Sequence, residues 1–242
     1  MNNYKLIIQY DGKDYAGWQI QKGQMTVQQK ITESIEILLK EKVNLLGSGR
    51  TDTGVHALGQ VANFRTEQEI DQYKFLYSLN SVLPRDISIL KLEKVNEGFH
   101  ARFDARRRSY IYLISRYKSP FYNNYSWFYH SDIDCLKLNN LAMSLLGRKD
   151  FSSFSRKNSD TKNMICEIYE AHWKETRSLT VFYIAADRFL HGMVRTIIGT
   201  LHFALKNNLD RKYIEEVIEA RDREKAAEAV PAKGLFLFKV KY

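Results

Sequence analysis

Proline and cysteine are scarce. The 242 residues hold three prolines and two cysteines, and no stretch is low in complexity. A proline-rich spacer or a flexible linker between well-separated domains is therefore excluded. Cys135 and Cys166 stand alone, outside any CxxC pair or Cys/His spacing that could hold zinc, so they read as reduced thiols rather than as a disulfide framework. Long apolar runs are missing too, and none is long enough to span a bilayer. Met1 to Tyr10 carries no signal-peptide pattern, which makes the cytoplasm the expected compartment. There is no P-loop, no GxGxxG after a strand, no HExxH and no GxSxG. Nucleotide-driven, zinc-hydrolase and serine-hydrolase chemistry lose most of their support.

What is present is a basic chain with a 44% hydrophobic content, enough for one large core or two compact halves. The net charge of +9 points to a polyanionic partner, RNA or DNA first and an acidic membrane surface second. Tyr4 to Tyr10 alternates as a strand. Thr26 to Lys40 reads as a helix, with Thr26 and Gln29 at capping-box spacing and Val27, Ile31, Ile35 and Leu38 on one face. Short strands at Val43 to Leu46 and Gln60 to Phe64 flank a glycine-rich loop, and a helix from Gln72 to Leu83 stops at Pro84 before a strand from Ile87 to Val95. The order then repeats. A strand at Ser109 to Ser115 and a helix from Cys135 to Leu146 precede a hairpin of Met164 to Lys174 with Leu179 to Ala186. Helices follow from Leu190 to Lys206 and from Asp210 to Ala220, and Leu235 to Val240 is a final strand. The expected architecture is α+β: two βαββαβ units of ferredoxin-like or RRM-like type, residues 1–105 and 106–242, joined into one extended mixed sheet with helices on one face.

Three clusters could carry chemistry. In Gly49-Arg50-Thr51-Asp52-Thr53-Gly54-Val55-His56-Ala57 a carboxylate sits on a glycine-flanked turn. Asp52 can serve as a nucleophile or a general base, and Arg50, two residues away, would keep it ionised; a turn aspartate satisfying its own loop amides is the plainer reading. In Phe99 to Tyr112, Arg102, Arg106, Arg107 and Arg108 lead into a strand with Tyr110 and Tyr112 on one face. Arginines clamp phosphates and tyrosines stack on bases, although a solvated basic loop entering an ordinary strand has the same composition. In Phe189 to Gly199, Arg195 sits in an otherwise apolar helix. Either a carboxylate such as Asp52 meets it or it snorkels to solvent.

At these residues the chain resembles the tRNA pseudouridine synthase A family. The resemblance runs through seven blocks in order: Tyr10-Asp11-Gly12 with Tyr15-Ala16-Gly17-Trp18-Gln19; Gly49 to Ala57; Leu79-Asn80, Leu83-Pro84 and Asp86-Ile87; Phe99 to Tyr112; Asp150 to Phe154; Met193-Val194-Arg195; and Pro231 to Leu237. It implies the pseudouridine synthase fold and isomerisation of uridine in the anticodon stem-loop of tRNA. It also implies a homodimer with no metal, nucleotide or other cofactor. Asp52 would be the nucleophile, Tyr110 the residue stacking on the target base and a candidate proton acceptor, and Arg195 the ion-pair partner of Asp52. Arg50, His56, Arg106, Arg107 and Arg108 join Tyr110 as expected substrate contacts. Two departures stand out: Thr53 follows the aspartate where alanine is commoner, and Arg156 to Met164 lacks the expected arginine pair. A relative acting on another RNA such as rRNA, and a non-catalytic RNA-binding protein, are the alternatives.

Overall fold

A computed structural model describes residues 1–156 and 163–242. Among them the chain runs β1 (Asn2–Tyr10), α1 (Val27–Leu39), β2 (Leu46–Gly47), β3 (His56–Thr66), α2 (Gln72–Val82), β4 (Ile87–Val95), β5 (Arg107–Ser115), β6 (Trp127–Phe128), α3 (Cys135–Ala142), β7 (Gly147–Asp150), β8 (Ile165–Glu175), β9 (Leu179–Ala186), α4 (Met193–Lys206), α5 (Arg211–Ala220) and β10 (Leu235–Lys241). The architecture is mixed α+β, and the residues form two compact units: Met1–Arg106 with Phe236–Tyr242, and Arg107–Leu235. The last strand is thus grouped with the first unit, whereas its sequence position put it in the second. The reason is pairing: Phe236 and Leu237 of β10 run parallel to His56 and Ala57 of β3.

In the first unit β1 lies between β3 and β4, antiparallel to both. Tyr4, Leu6 and Ile8 stand opposite Phe64, Ala62 and Gln60, so one face of the sheet is nearly all apolar and buried. Beyond Ile8 the register slips, and Tyr10 meets Ala57. A bulge of this kind bends a strand locally, and here it falls just after the glycine-rich turn that ends at His56. Helix α1 turns Val27, Ile31, Ile35 and Leu39 inward and starts where Thr26 accepts the amide of Gln29 at 3.4 Å. Asp71 caps α2 through the amides of Tyr73 and Lys74. Phe75 of α2 packs on Phe64, and the Tyr4 hydroxyl accepts the Ile70 amide at 2.9 Å. On the other face, the buried amide side chains of Asn3 and Asn63 hold down the segment after β4: Asn3 Nδ2 donates to Phe99 O at 2.9 Å, and Asn63 Oδ1 accepts from Ala101 N at 2.9 Å.

The second unit has a sheet in the order β5-β9-β8-β7, with β6 parallel to the end of β5. Tyr110 and Tyr112 stand opposite Ile184 and Phe182 of β9. Tyr112 is fully buried and donates its hydroxyl to Pro231 O at 2.9 Å; burial holds its pKa well above the ordinary tyrosine value. A Cβ on Gly234 would lie 2.7 Å from the Tyr112 ring, so the segment from Pro231 to Gly234 packs directly on this tyrosine. Helix α4 begins at Met193 rather than Leu190, because its N-cap Gly192 adopts φ 73 and breaks the helical path. Gly199 of the same helix lets the main chain at Glu228 approach so closely that a Cβ would be 1.9 Å from its carbonyl oxygen. Helix α3 ends at Ala142, short of the expected Leu146, since Met143–Leu145 tighten into a 3₁₀ turn.

Candidate active site

The first unit holds Asp52 in a turn that is gripped from both sides by the loop after β1. Trp18 N donates to Thr51 O at 3.2 Å, and Gly54 N donates to Tyr15 O at 3.3 Å, so one backbone bond falls on each flank of Asp52. The Tyr10 and Thr51 hydroxyls share a hydrogen bond of 2.8 Å. Val55 N closes the turn on Asp52 O at 3.1 Å. Two glycines make the approach possible. A Cβ on Gly12 would lie 2.0 Å from Val55 O, and one on Gly17 would lie 2.4 Å from Thr51 O. Below the turn Gly47 leaves room for the Trp18 indole, and Gln60 joins the Ser48 hydroxyl at 2.6 Å to the Gly49 carbonyl at 3.0 Å. The outer loop is itself fixed: Tyr15 donates its hydroxyl to Asp86 at 2.8 Å, and burial, reinforced by Asp86, raises the Tyr15 pKa far above its usual value.

Asp52 is half-buried at the crest of this cradle, Arg50 is exposed beside it, and Thr51 is buried beneath. His56, expected among the substrate contacts, is instead enclosed at 1% exposure. Its Nδ1 lies 3.1 Å from Gly12 N and 2.9 Å from Asp11 Oδ1, and its ring stacks on Phe236 at 4.7 Å. The residue begins β3, where alternation turns the side chain into the unit, so it fastens the turn to the outer loop.

In the second unit Tyr110 lies on β5 with 8% of its surface exposed, its ring edge-on to Phe189 at 5.1 Å. Phe189 belongs to the short connection from β9 to α4, so this contact ties Tyr110 to the segment that leads to Arg195. Arg195 is half-buried in the first turn of α4 and donates Nε to Val230 O at 2.7 Å. Val230 N in turn donates to Arg195 O at 3.3 Å, so side chain and main chain of Arg195 both meet Val230.

The arginines of the basic run differ in exposure and in partners. Arg106 is exposed, and its amide donates to Lys241 O at 2.9 Å. Arg107 and Arg108 lie on β5 rather than in a loop. Arg107 is bound to Glu170, which raises its pKa further, and packs over the Tyr169 ring at 5.7 Å. Arg108 donates to Asp187 O at 2.8 Å. The Arg107 guanidinium is thus paired with a carboxylate, whereas Arg108 keeps its full charge while bound to a main-chain carbonyl. The stretch expected to carry an arginine pair falls largely on residues 157–162, outside the described residues. What residue types alone did not disclose is the cradle: Gly12, Gly17, Tyr15, Trp18 and Gln60 mark it, and the available signal was the clustering of Tyr10 to Gln19 with no chemistry of its own. Among the described residues no group of His, Cys, Asp and Glu side chains could hold a metal ion.

The chain matches the model of a family described as tRNA pseudouridine synthase over residues 6–104 and 141–242. Asp52 and Arg195 fall inside the matched stretches, and Tyr110 lies between them. Full-length similarity extends to curated proteins named tRNA pseudouridine synthase A. That of Thermoanaerobacter sp. (strain X514) is 37% identical over 244 residues, covering 100% of both chains. That of Clostridium acetobutylicum is 40% identical with the same coverage. That of Parabacteroides distasonis is 41% identical over 243 residues, covering 100% of this chain and 96% of the relative.

Proposed function

The chain belongs to the tRNA pseudouridine synthase family, and on that premise we propose a mechanism centred on Asp52 and acting on uridines of the tRNA anticodon arm. The enzyme isomerises uridine to pseudouridine in tRNA. The observation that carries the residue-level reading is the cradle: a half-buried carboxylate held by backbone bonds on both flanks is preorganised, as a reacting group must be.

Product and substrate have the same atoms, so the balance requires no donor and no redox partner. The N1 glycosidic bond breaks, the uracil turns, and C5 joins C1′; the proton that leaves C5 is balanced by one taken up at N1. Asp52 supplies the carboxylate on the sugar side, either by bonding to C1′, an ester bond that breaks when C5 attacks C1′, or by removing a neighbouring sugar proton that it returns once C5 has joined C1′. Arg195 is its proposed charge partner and keeps it ionised. Tyr110 is the proposed platform for the freed uracil, which must not diffuse away, and it or a water accepts the C5 proton. Its edge-on contact with Phe189 supports this role by fixing the ring plane. Because the target base must leave its stack to reach a carboxylate, Arg50, exposed beside Asp52, is proposed to occupy the space it vacates. The working unit is proposed to be a homodimer acting in the cytoplasm; sedimentation equilibrium at a mass of 28.4 kDa, that of one chain, would argue against the dimer.

The test is Asp52→Asn. The amide keeps size and shape and loses the charge, so tRNA binding stays within about twofold of wild type while pseudouridine is lost. Product formation by this variant at an undiminished rate refutes the assignment. The non-catalytic reading falls if the unaltered protein converts uridines in bulk tRNA, and the rRNA alternative is decided by giving the enzyme both RNAs together.

A further inference from the structure

Phe103 is 75% exposed, yet it stands on a turn fixed by hydrogen bonds at both ends. Residues 100–104 form a single helical turn closed by Asp104 N to His100 O at 3.1 Å. Its leading amides are all occupied: His100 N donates to Asp104 Oδ2 at 2.8 Å, and Arg102 N and Phe103 N reach His100 Nδ1 at 3.1 and 3.4 Å. Beneath the turn Ala101 is fully buried, with its amide on Asn63 and its carbonyl accepting the Tyr242 hydroxyl at 2.8 Å. The His100 ring lies 4.4 Å from the Phe103 ring, and the Arg102 guanidinium is 5.8 Å from the same ring.

An exposed aromatic on a mobile tip needs no explanation. One held out from a rigid base, with a cation beside the ring, has the makings of a base-stacking site. The amides of residues 100–103 are taken by the side chains of Asp104, Asn63 and His100, so an anion there has to be met by Arg102 or Arg106, not by the backbone. Asp104, the acid of the turn, has its Oδ2 turned back onto the His100 amide. We infer that Phe103 and Arg102 form a second tRNA contact, in which the phenyl ring stacks on an unpaired nucleobase and the guanidinium meets the adjoining phosphate. This rests on the reading of the chain as a tRNA-modifying enzyme and adds a recognition point to it. The contacted base is not the target. Ala101 is anchored at Asn63, seven residues along β3 from His56. At about 3.3 Å per residue, that places the anchor roughly 23 Å from the end of the Asp52 turn.

The experiment compares wild type, Phe103→Ala, Phe103→Trp and Arg102→Ala on full-length tRNA, measuring KM and kcat for pseudouridine formation and the tRNA Kd across a salt series. Phe103→Ala is expected to raise KM and Kd roughly tenfold, the loss of one stacked base, with kcat and Tm unchanged. Phe103→Trp restores both constants, which a merely structural role would not do. Arg102→Ala lowers the slope of log Kd against log salt by about one phosphate. If wild type makes pseudouridine and Phe103→Ala matches it in KM and Kd, this inference is overturned and the enzymatic reading stands. If wild type leaves tRNA unmodified, the enzymatic reading falls and takes this one with it.

Discussion

Gly17 and Gly23 offer a controlled test of whether the cradle sets the position of Asp52. Both adopt positive φ, +93 and +74, and both lie in the loop between β1 and α1. An alanine at either position carries the backbone cost of a left-handed conformation, about 1–2 kcal/mol. They differ in surroundings. A Cβ at Gly23 meets nothing within 4 Å, whereas one at Gly17 lies 2.4 Å from Thr51 O, well inside the 3.0 Å that real Cβ contacts respect. In Gly17→Ala the Thr51 main chain must retreat by roughly half an ångström, at an added overpacking cost of about 1–3 kcal/mol. The residue displaced next is Asp52, and a reacting group needs placement to within about 0.5 Å. Gly23→Ala is therefore expected to lose about 1–2 kcal/mol in urea unfolding and keep its single-turnover rate. Gly17→Ala loses roughly 2–5 kcal/mol and drops the single-turnover rate on the order of 10- to 100-fold at saturating tRNA. Equal stability losses for the two variants, with both at the wild-type rate, would refute the claim that contact at Thr51 positions the carboxylate.

Three further outcomes follow from burial. Cys166 is buried and its thiol is pushed up to about 12, so at pH 8 iodoacetamide labels the half-exposed Cys135 and leaves Cys166 untouched until the protein unfolds; mass spectrometry of the peptides reads this directly. His202 packs between Trp127 at 4.9 Å and Tyr129 at 4.4 Å, and burial, with Lys206 one turn away, holds its pKa below the usual value. The unfolded chain then takes a proton that the folded chain refuses, so this stabilisation is complete above about pH 6.5 and is lost as pH falls; His202→Phe should flatten that part of the stability–pH curve. For the clasp at His56, the alanine variant should lower kcat with little change in tRNA KM, and His56→Asn, which retains a polar atom near Nδ1, should recover part of it; an unchanged kcat in His56→Ala would show that the clasp does not reach Asp52.

Local signals were the legible ones. Thr26 caps α1 through Gln29, as the spacing predicted, although the Gln29 side chain reaches forward to Glu33 instead of back to the cap. Alternation in Tyr4 to Tyr10 gave the buried face of β1. Boundaries failed where a single backbone conformation decided them, as at Gly192, whose left-handed φ is not distinguishable in sequence from an ordinary helical glycine. Long-range pairing was illegible for a different reason. Nothing in Phe236 and Leu237 says that they run parallel to His56 and Ala57, because that choice depends on a partner 180 residues earlier. The site divided in the same way. The glycines around Asp52 mark a turn in the sequence, but the burial of His56 with its Nδ1 against Asp11 and Gly12 is not readable from residue types. Nor do residue types disclose that Arg107 meets the Glu170 carboxylate and Arg108 the Asp187 carbonyl.

The split of the first unit also sets a clock on its birth. Its final strand and Tyr242, whose ring packs on Phe99 at 4.9 Å, are translated only after the whole of Arg107–Leu235. At roughly 5–20 residues per second, the ribosome takes on the order of ten seconds over that interval. Throughout it, the start of β3 lacks its parallel neighbour and His56 lacks the Phe236 ring. A nascent chain in this state presents an open strand edge beside apolar surface, the combination that chaperones shield. The second unit is complete before the first, so the order of synthesis is the reverse of the order in which the two units can finish folding.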